Sequence, residues 1–135
     1  MLSLSSNCIP TYEELKLAHK HRYIIYRIDK SNNEFVVDRT SQSTDWNDFI
    51  SDLPEDEPRI AIYDFNFVKR TEDGITNKIV FITWSPNTAN IRTKMLYASE
   101  KDSLRRSLNG IQLEILGTEY SEVSYEAVWD KAKRS

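Results

Sequence analysis

Cysteine is nearly absent from this sequence: Cys8 stands alone. A single thiol cannot build an internal disulfide framework and fits a reducing compartment; the role expected of it is that of a small buried filler. Glycine occurs three times and proline four times. That is too little for a linker-like or low-complexity chain, so each one reads as punctuation. No apolar run approaches the roughly 20 residues that span a bilayer. Residues 1–6 lack the basic region and apolar stretch of a signal peptide. Histidine is scarce too. His19 and His21 point to opposite faces of the expected helix end, with no third ligand at metal spacing, so both are expected to be ordinary surface residues. Gly-rich phosphate loops, nucleophile elbows and paired-acid signatures are missing as well. The chain is therefore expected to bind rather than catalyse, with no metal and no cofactor.

What is present suits one soluble α/β domain spanning 1–135. The length is that of a single domain, with 39% hydrophobic and 29% charged residues. Trp46, Trp84, Trp129 and seven tyrosines can supply a packed core. The net charge of −3 and the lack of a broad basic patch argue against nucleic acid. The distribution of charge says more than its total. Between Thr88 and Gly110, five cations face two carboxylates, leaving +3, so the rest of the chain carries −6. A basic element on an acidic body is the main electrostatic feature.

The order of elements is readable. A helix is predicted from 10 to about 20, with Leu15 and Ala18 inward. Residues 22–29 and 34–40 form a hairpin around the turn 30–33. Thr44 or Asp45 caps a short helix that runs to Leu53, ahead of Pro54. Glu55, Asp56 and Glu57 then read as a solvated acidic turn. Residues 59–68 alternate with period two, as a strand with one strongly apolar face does. A charged turn from 69 to 77 precedes an almost unbroken apolar run, 78–84, expected to be a central strand covered on both faces. A long helix follows from 90 to about 108, closed by Asn109-Gly110. A last strand at 112–118 and a helix at 124–134, with Tyr125, Val128 and Trp129 inward, complete the chain. The expected architecture is a mixed sheet with helices on both faces.

The long helix carries the functional signal. At about 100° per residue, Tyr97, Leu104 and Leu108 share one line and are assigned to the core, with Leu96 at its margin. Broadly opposite lie Met95, Asp102 and Arg106, with Ile91 and Ala98 beside them. Lys94, Lys101 and Arg105 form one edge of this outer face and Arg92 the other. Cations mixed with Met, Ile and a small Ala fit an interface centre. The competing reading is a plain solvated face whose lysines pair locally with acids.

Several segments taken in order resemble the actin-depolymerising factor/cofilin family, and its fungal members most closely. They are Ala61-Ile62-Tyr63-Asp64-Phe65, Lys78-Ile79-Val80-Phe81, Thr83-Trp84-Ser85-Pro86, Arg92-Thr93-Lys94-Met95-Leu96-Tyr97-Ala98-Ser99, Lys101-Asp102, Leu104-Arg105-Arg106 and Ser121-Glu122-Val123-Ser124-Tyr125. The likeness runs from about 12 to 134. It implies a mixed sheet of five or six strands flanked by helices, in a monomer of the cytoplasm and cytoskeleton. It also implies binding to actin monomers and filaments, with severing and faster depolymerisation. By position it implies that Ile91, Arg92, Lys94, Met95, Lys101, Asp102, Arg105 and Arg106 touch actin through the long helix. Lys69, Arg70, Thr76, Lys78, Asp130, Lys131 and Arg134 match the further filament contacts. Phosphoinositide headgroups are an implied second ligand of the basic helix.

Two departures stand out. No residue matches the serine that serves the family as a phosphorylation switch; Ser3, Ser5 and Ser6 are near it but not equivalent. The two basic residues usual just before the central strand read Thr76 and Lys78, so one charge is missing, and Lys69 and Arg70 could compensate. The alternatives are a glia-maturation-factor-like debranching protein, against which Arg92 and Lys94 argue, and a phosphoinositide-binding module.

Overall fold

The computed structural model describes residues 2–68 and 74–135. Six strands form one sheet in the order β1-β3-β2-β4-β5-β6. They are β1 (Ser3–Leu4), β2 (Tyr23–Asp29), β3 (Glu34–Ser41), β4 (Arg59–Val68), β5 (Ile75–Trp84) and β6 (Leu113–Gly117). The four central strands are antiparallel, whereas β1 on β3 and β6 on β5 are parallel. The mixed sheet expected from the sequence is thus observed, with the sixth strand supplied by β1, a segment too short to carry a periodic signal.

Helices cover both faces. On one side α1 (Cys8–Lys16) and α3 (Ile91–Ser107) pack Cys8, Tyr12, Leu15, Tyr97 and Leu104 onto Ile24, Tyr26, Ile60, Ile62 and Phe81. On the other, α2 (Trp46–Ser51) and α4 (Tyr125–Arg134) bring Phe49, Val128 and Ala132 against Tyr23, Tyr63, Phe65, Val80 and Trp84. A crossover from β5 through α3 to β6 requires the last strand to run parallel to β5.

Several boundaries differ from the sequence reading, each for a physical reason. Helix α1 starts at Cys8 and stops at Lys16, four residues early. The chain then turns, with His19 in the left-handed region at φ 53°, so the two histidines are on a turn and not a helix. His21 is not a surface residue: its ring is 12% exposed and bonds Glu14 at 3.0 Å. Strand β4 is covered on both faces, not one, because the second helical layer also reaches it; only Asn66 and Val68 are exposed. Strand β5 begins at Ile75, shortening the charged turn, because residues 75–78 continue the ladder opposite Val68, Phe67, Asn66 and Phe65. In α4 the inward residues are Val128 and Ala132, with Trp129 half-buried, while Tyr125 is exposed beside Trp46 and Phe65.

Candidate protein-binding surface

Helix α3 is the element on which the functional reading depends. Asn90 caps it: its side-chain oxygen accepts from the backbone N–H of Arg92 and of Thr93, satisfying two donors that a helix start leaves open. Tyr97 and Leu104 are buried beneath it. The Tyr97 hydroxyl accepts from the Ile28 N–H at 2.8 Å, and burial pushes its pKa up. The inner line predicted from 100° spacing, Tyr97, Leu104 and Leu108, is the one observed, with Leu96 packed at its edge.

On the outer face Ile91 is 71% exposed and Met95 65%. Arg92 and Asp102 are exposed and Lys94 half-buried, and none of the three has an ion pair or a side-chain hydrogen bond among the described residues. Arg106 is exposed in the same way. The C-terminal half differs. Glu114 of β6 takes Arg105 at 2.6 Å and Lys101 at 3.5 Å, so local pairing with acids describes Lys101 and Arg105 correctly. The first turn carries no carboxylate, and Arg92 and Lys94 sit at the positive end of the helix dipole, where cations are disfavoured.

One apolar contributor was not visible in the sequence. Leu116 of β6 is 55% exposed and lines, with Ile91, Met95 and Ala98, a groove of about 300 Å³ between α3 and β6. A pattern of alternation marks Leu116 only as a strand residue; the edge position of β6 beside α3 exposes it.

The residues assigned to filament contact gather elsewhere. Thr76 and Lys78 share the β5 face of Val80 and Ile82, toward α4. Lys78 Nζ donates to the Ser135 carbonyl at 2.8 Å. Asp130 pairs with Arg134 at 3.0 Å and with Lys133 at 3.5 Å, whereas Lys131 is exposed. Lys69 and Arg70 lie outside the described residues. Ile75, which the sequence reading left in the turn, is 77% exposed on the opposite face of β5, the face of Ile79 and Phe81.

A cavity of about 590 Å³ lies away from both surfaces, between the α1–β2 turn and the β4–β5 arm. It is polar and its groups already serve the fold. The buried Asp64 carboxylate accepts from Asn77 and faces His19 Nδ1 at 3.5 Å, and Arg22 donates to the Asp64 carbonyl at 3.0 Å. No cluster of metal-ligating side chains occurs among the described residues.

The chain matches the family of cofilin/tropomyosin-type actin-binding proteins over residues 1–133. It belongs to that family. It is 49% identical over 134 residues to the cofilin of Mycosarcoma maydis, covering 99% of this chain and 96% of that one. The crystal structure of Streptomyces griseoflavus cofilin superposes with a TM-score of 0.93 at 46% identity, covering 100% of this chain and 99% of the other. Plasmodium berghei actin depolymerization factor 2 gives 0.85 at 30% identity over 97% and 96% of the two chains. This cofilin-family member is an actin-binding protein. The glia-maturation-factor reading is the less supported of the two.

Proposed function

We propose that this protein binds actin monomers through the outer face of α3, engages filaments through a second surface on β5 and α4, and so severs and depolymerises filaments. One observation carries the assignment to α3: Arg92 and Lys94, which have no ion-pair partner among the described residues, stand at the positive end of the helix beside exposed Ile91 and Met95. Cations placed against the dipole weaken the helix, and a feature that weakens its own element is better explained by a partner than by the fold.

The physics of association follows. A net +3 helix on a −6 body orients toward an acidic partner, and the charges set the on-rate. Ile91 and Met95 supply the desolvated contact. No covalent chemistry is required: tighter binding to one twist of the filament than to another shifts the filament toward the first and strains its junctions. A cytoplasmic, cytoskeletal monomer suits this role, and among the described residues no helix is long and apolar enough to cross a membrane. Phosphoinositide headgroups would compete for Arg92 and Lys94, since anionic headgroups attract the same cations.

The deciding experiment is the double variant Arg92→Ala with Lys94→Ala. Its binding to fluorescent actin monomers and its co-sedimentation with filaments should be lost while it melts no earlier than the parent. A folded double variant that co-sediments normally would remove α3 from the site.

A further inference from the structure

Resting on the α3 reading, we propose that the groove between α3 and β6 receives one apolar side chain of actin flanked by a carboxylate, and that Leu116 is a determinant of monomer binding. The floor of the groove is Thr83 and Tyr97, both buried, and its walls are Ile91, Met95, Ala98 and Leu116. Three of those wall residues are large, apolar and more than half exposed. Such a cluster is costly on a free surface, and on an edge strand it also invites unwanted pairing.

The groove is continuous with the outer face of α3, so a partner seated on Ile91 and Met95 also covers Leu116. Its charge selects the occupant. Lys94 and Lys101 are the charged side chains lining it; Lys101 is held by Glu114 at 3.5 Å, whereas Lys94 has no ion-pair partner among the described residues. An aliphatic side chain would therefore fill the cleft while a neighbouring carboxylate meets Lys94. The alternation of β6 serves this arrangement: Glu114 and Leu116 are both exposed while Ile115 and Gly117 are buried. One exposed position fixes the C-terminal half of α3 and the other extends its contact surface.

The test compares Leu116→Ser and Leu116→Met with the parent in binding to fluorescent actin monomers, with Arg92→Ala/Lys94→Ala alongside. The serine variant should bind about tenfold more weakly at an unchanged melting temperature, and the methionine variant should bind within about twofold of the parent. If the serine variant melts early, Leu116→Thr, a good strand former, carries the same comparison. Parent-like binding by the serine variant, with binding lost in the α3 double variant, overturns the role of the groove and leaves the α3 reading standing. Normal binding by the α3 double variant overturns that reading itself. If light scattering shows that the parent self-associates and the serine variant does not, while actin binding is equal, the groove holds a second copy and the proposal fails.

Discussion

The end of α4 and the start of α3 both carry basic residues, and they carry them for opposite reasons. The last turn of α4 holds Lys131, Lys133 and Arg134 at the negative end of its dipole. Asp130 pairs with two of them, and Lys133 lies 4.1 Å from the centre of the Trp129 ring. Dipole, ion pairs and a cation–π contact all stabilise that arrangement without any partner. The first turn of α3 has Arg92 and Lys94 at the positive end, with no acid in the turn and no ion pair among the described residues. The same residue types are thus a stabilising feature of one helix and a liability of the other. The contrast teaches where charge is informative: a cation that the fold explains says little about function, and one that the fold opposes says much.

The comparison breaks most decisively at α3. Arg92→Ala with Lys94→Ala should cost monomer binding about 2 kcal/mol or more. Stability should hold or rise by about 0.3–1 kcal/mol, since two unfavourable dipole interactions are removed. Chemical denaturation beside the binding assay measures both, and a loss of stability would show that these cations serve the fold after all. In α4 the signs should reverse. Lys131→Ala with Arg134→Ala should lower stability by a few tenths of a kcal/mol and weaken filament co-sedimentation by about 0.5–1 kcal/mol, leaving monomer affinity unchanged.

A smaller effect sharpens the same contrast on β5. Thr76 is half-buried on the face that looks toward α4, beside Lys78. Thr76→Arg should strengthen filament binding by about 0.5–1 kcal/mol and make it more salt-sensitive, because an added surface charge acts through a screened field. Filament severing followed by microscopy across a salt series reads this out. If neither that variant nor Lys69→Ala with Arg70→Ala alters severing, the hairpin takes no part in filament contact.

The smallest effect at neutral pH concerns the core that holds both helices. Burial raises the hydroxyls of Tyr12, Tyr23 and Tyr63 from 10.0 to about 12. A raised folded-state pKa favours the protonated form in the native protein. Stability is therefore full below pH 10 and is lost between pH 10 and about 12, as the unfolded chain ionises first. Absorbance titration at alkaline pH should show these tyrosines ionising only as the protein unfolds. Normal titration near pH 10 in the folded state would contradict their burial.

The element order and the inner line of α3 were legible because they depend on local periodicity. Tyr97, Leu104 and Leu108 lie one above another whatever packs against them. Ser3–Leu4 could not be read as a strand, since a two-residue element exists only through its partner β3. Tyr125 was misread because the apolar stripe of α4 fits more than one rotation of the helix. Contact with the sheet chose the one that buries Val128 and Ala132.

The amino-acid sequence by itself determined the family, the alternating strands, the order of the elements and the presence of a basic helix on an acidic chain. Each of these is a property of neighbours along the chain or of their order. Tertiary structure alone decided which of those cations β6 pairs. Glu114 pairs with Lys101 and Arg105 only because β6 crosses back beside α3. Leu116 becomes an exposed groove residue by the same crossing. Pairing and exposure depend on distances through space, and residues far apart in sequence meet only when the sheet brings their elements together.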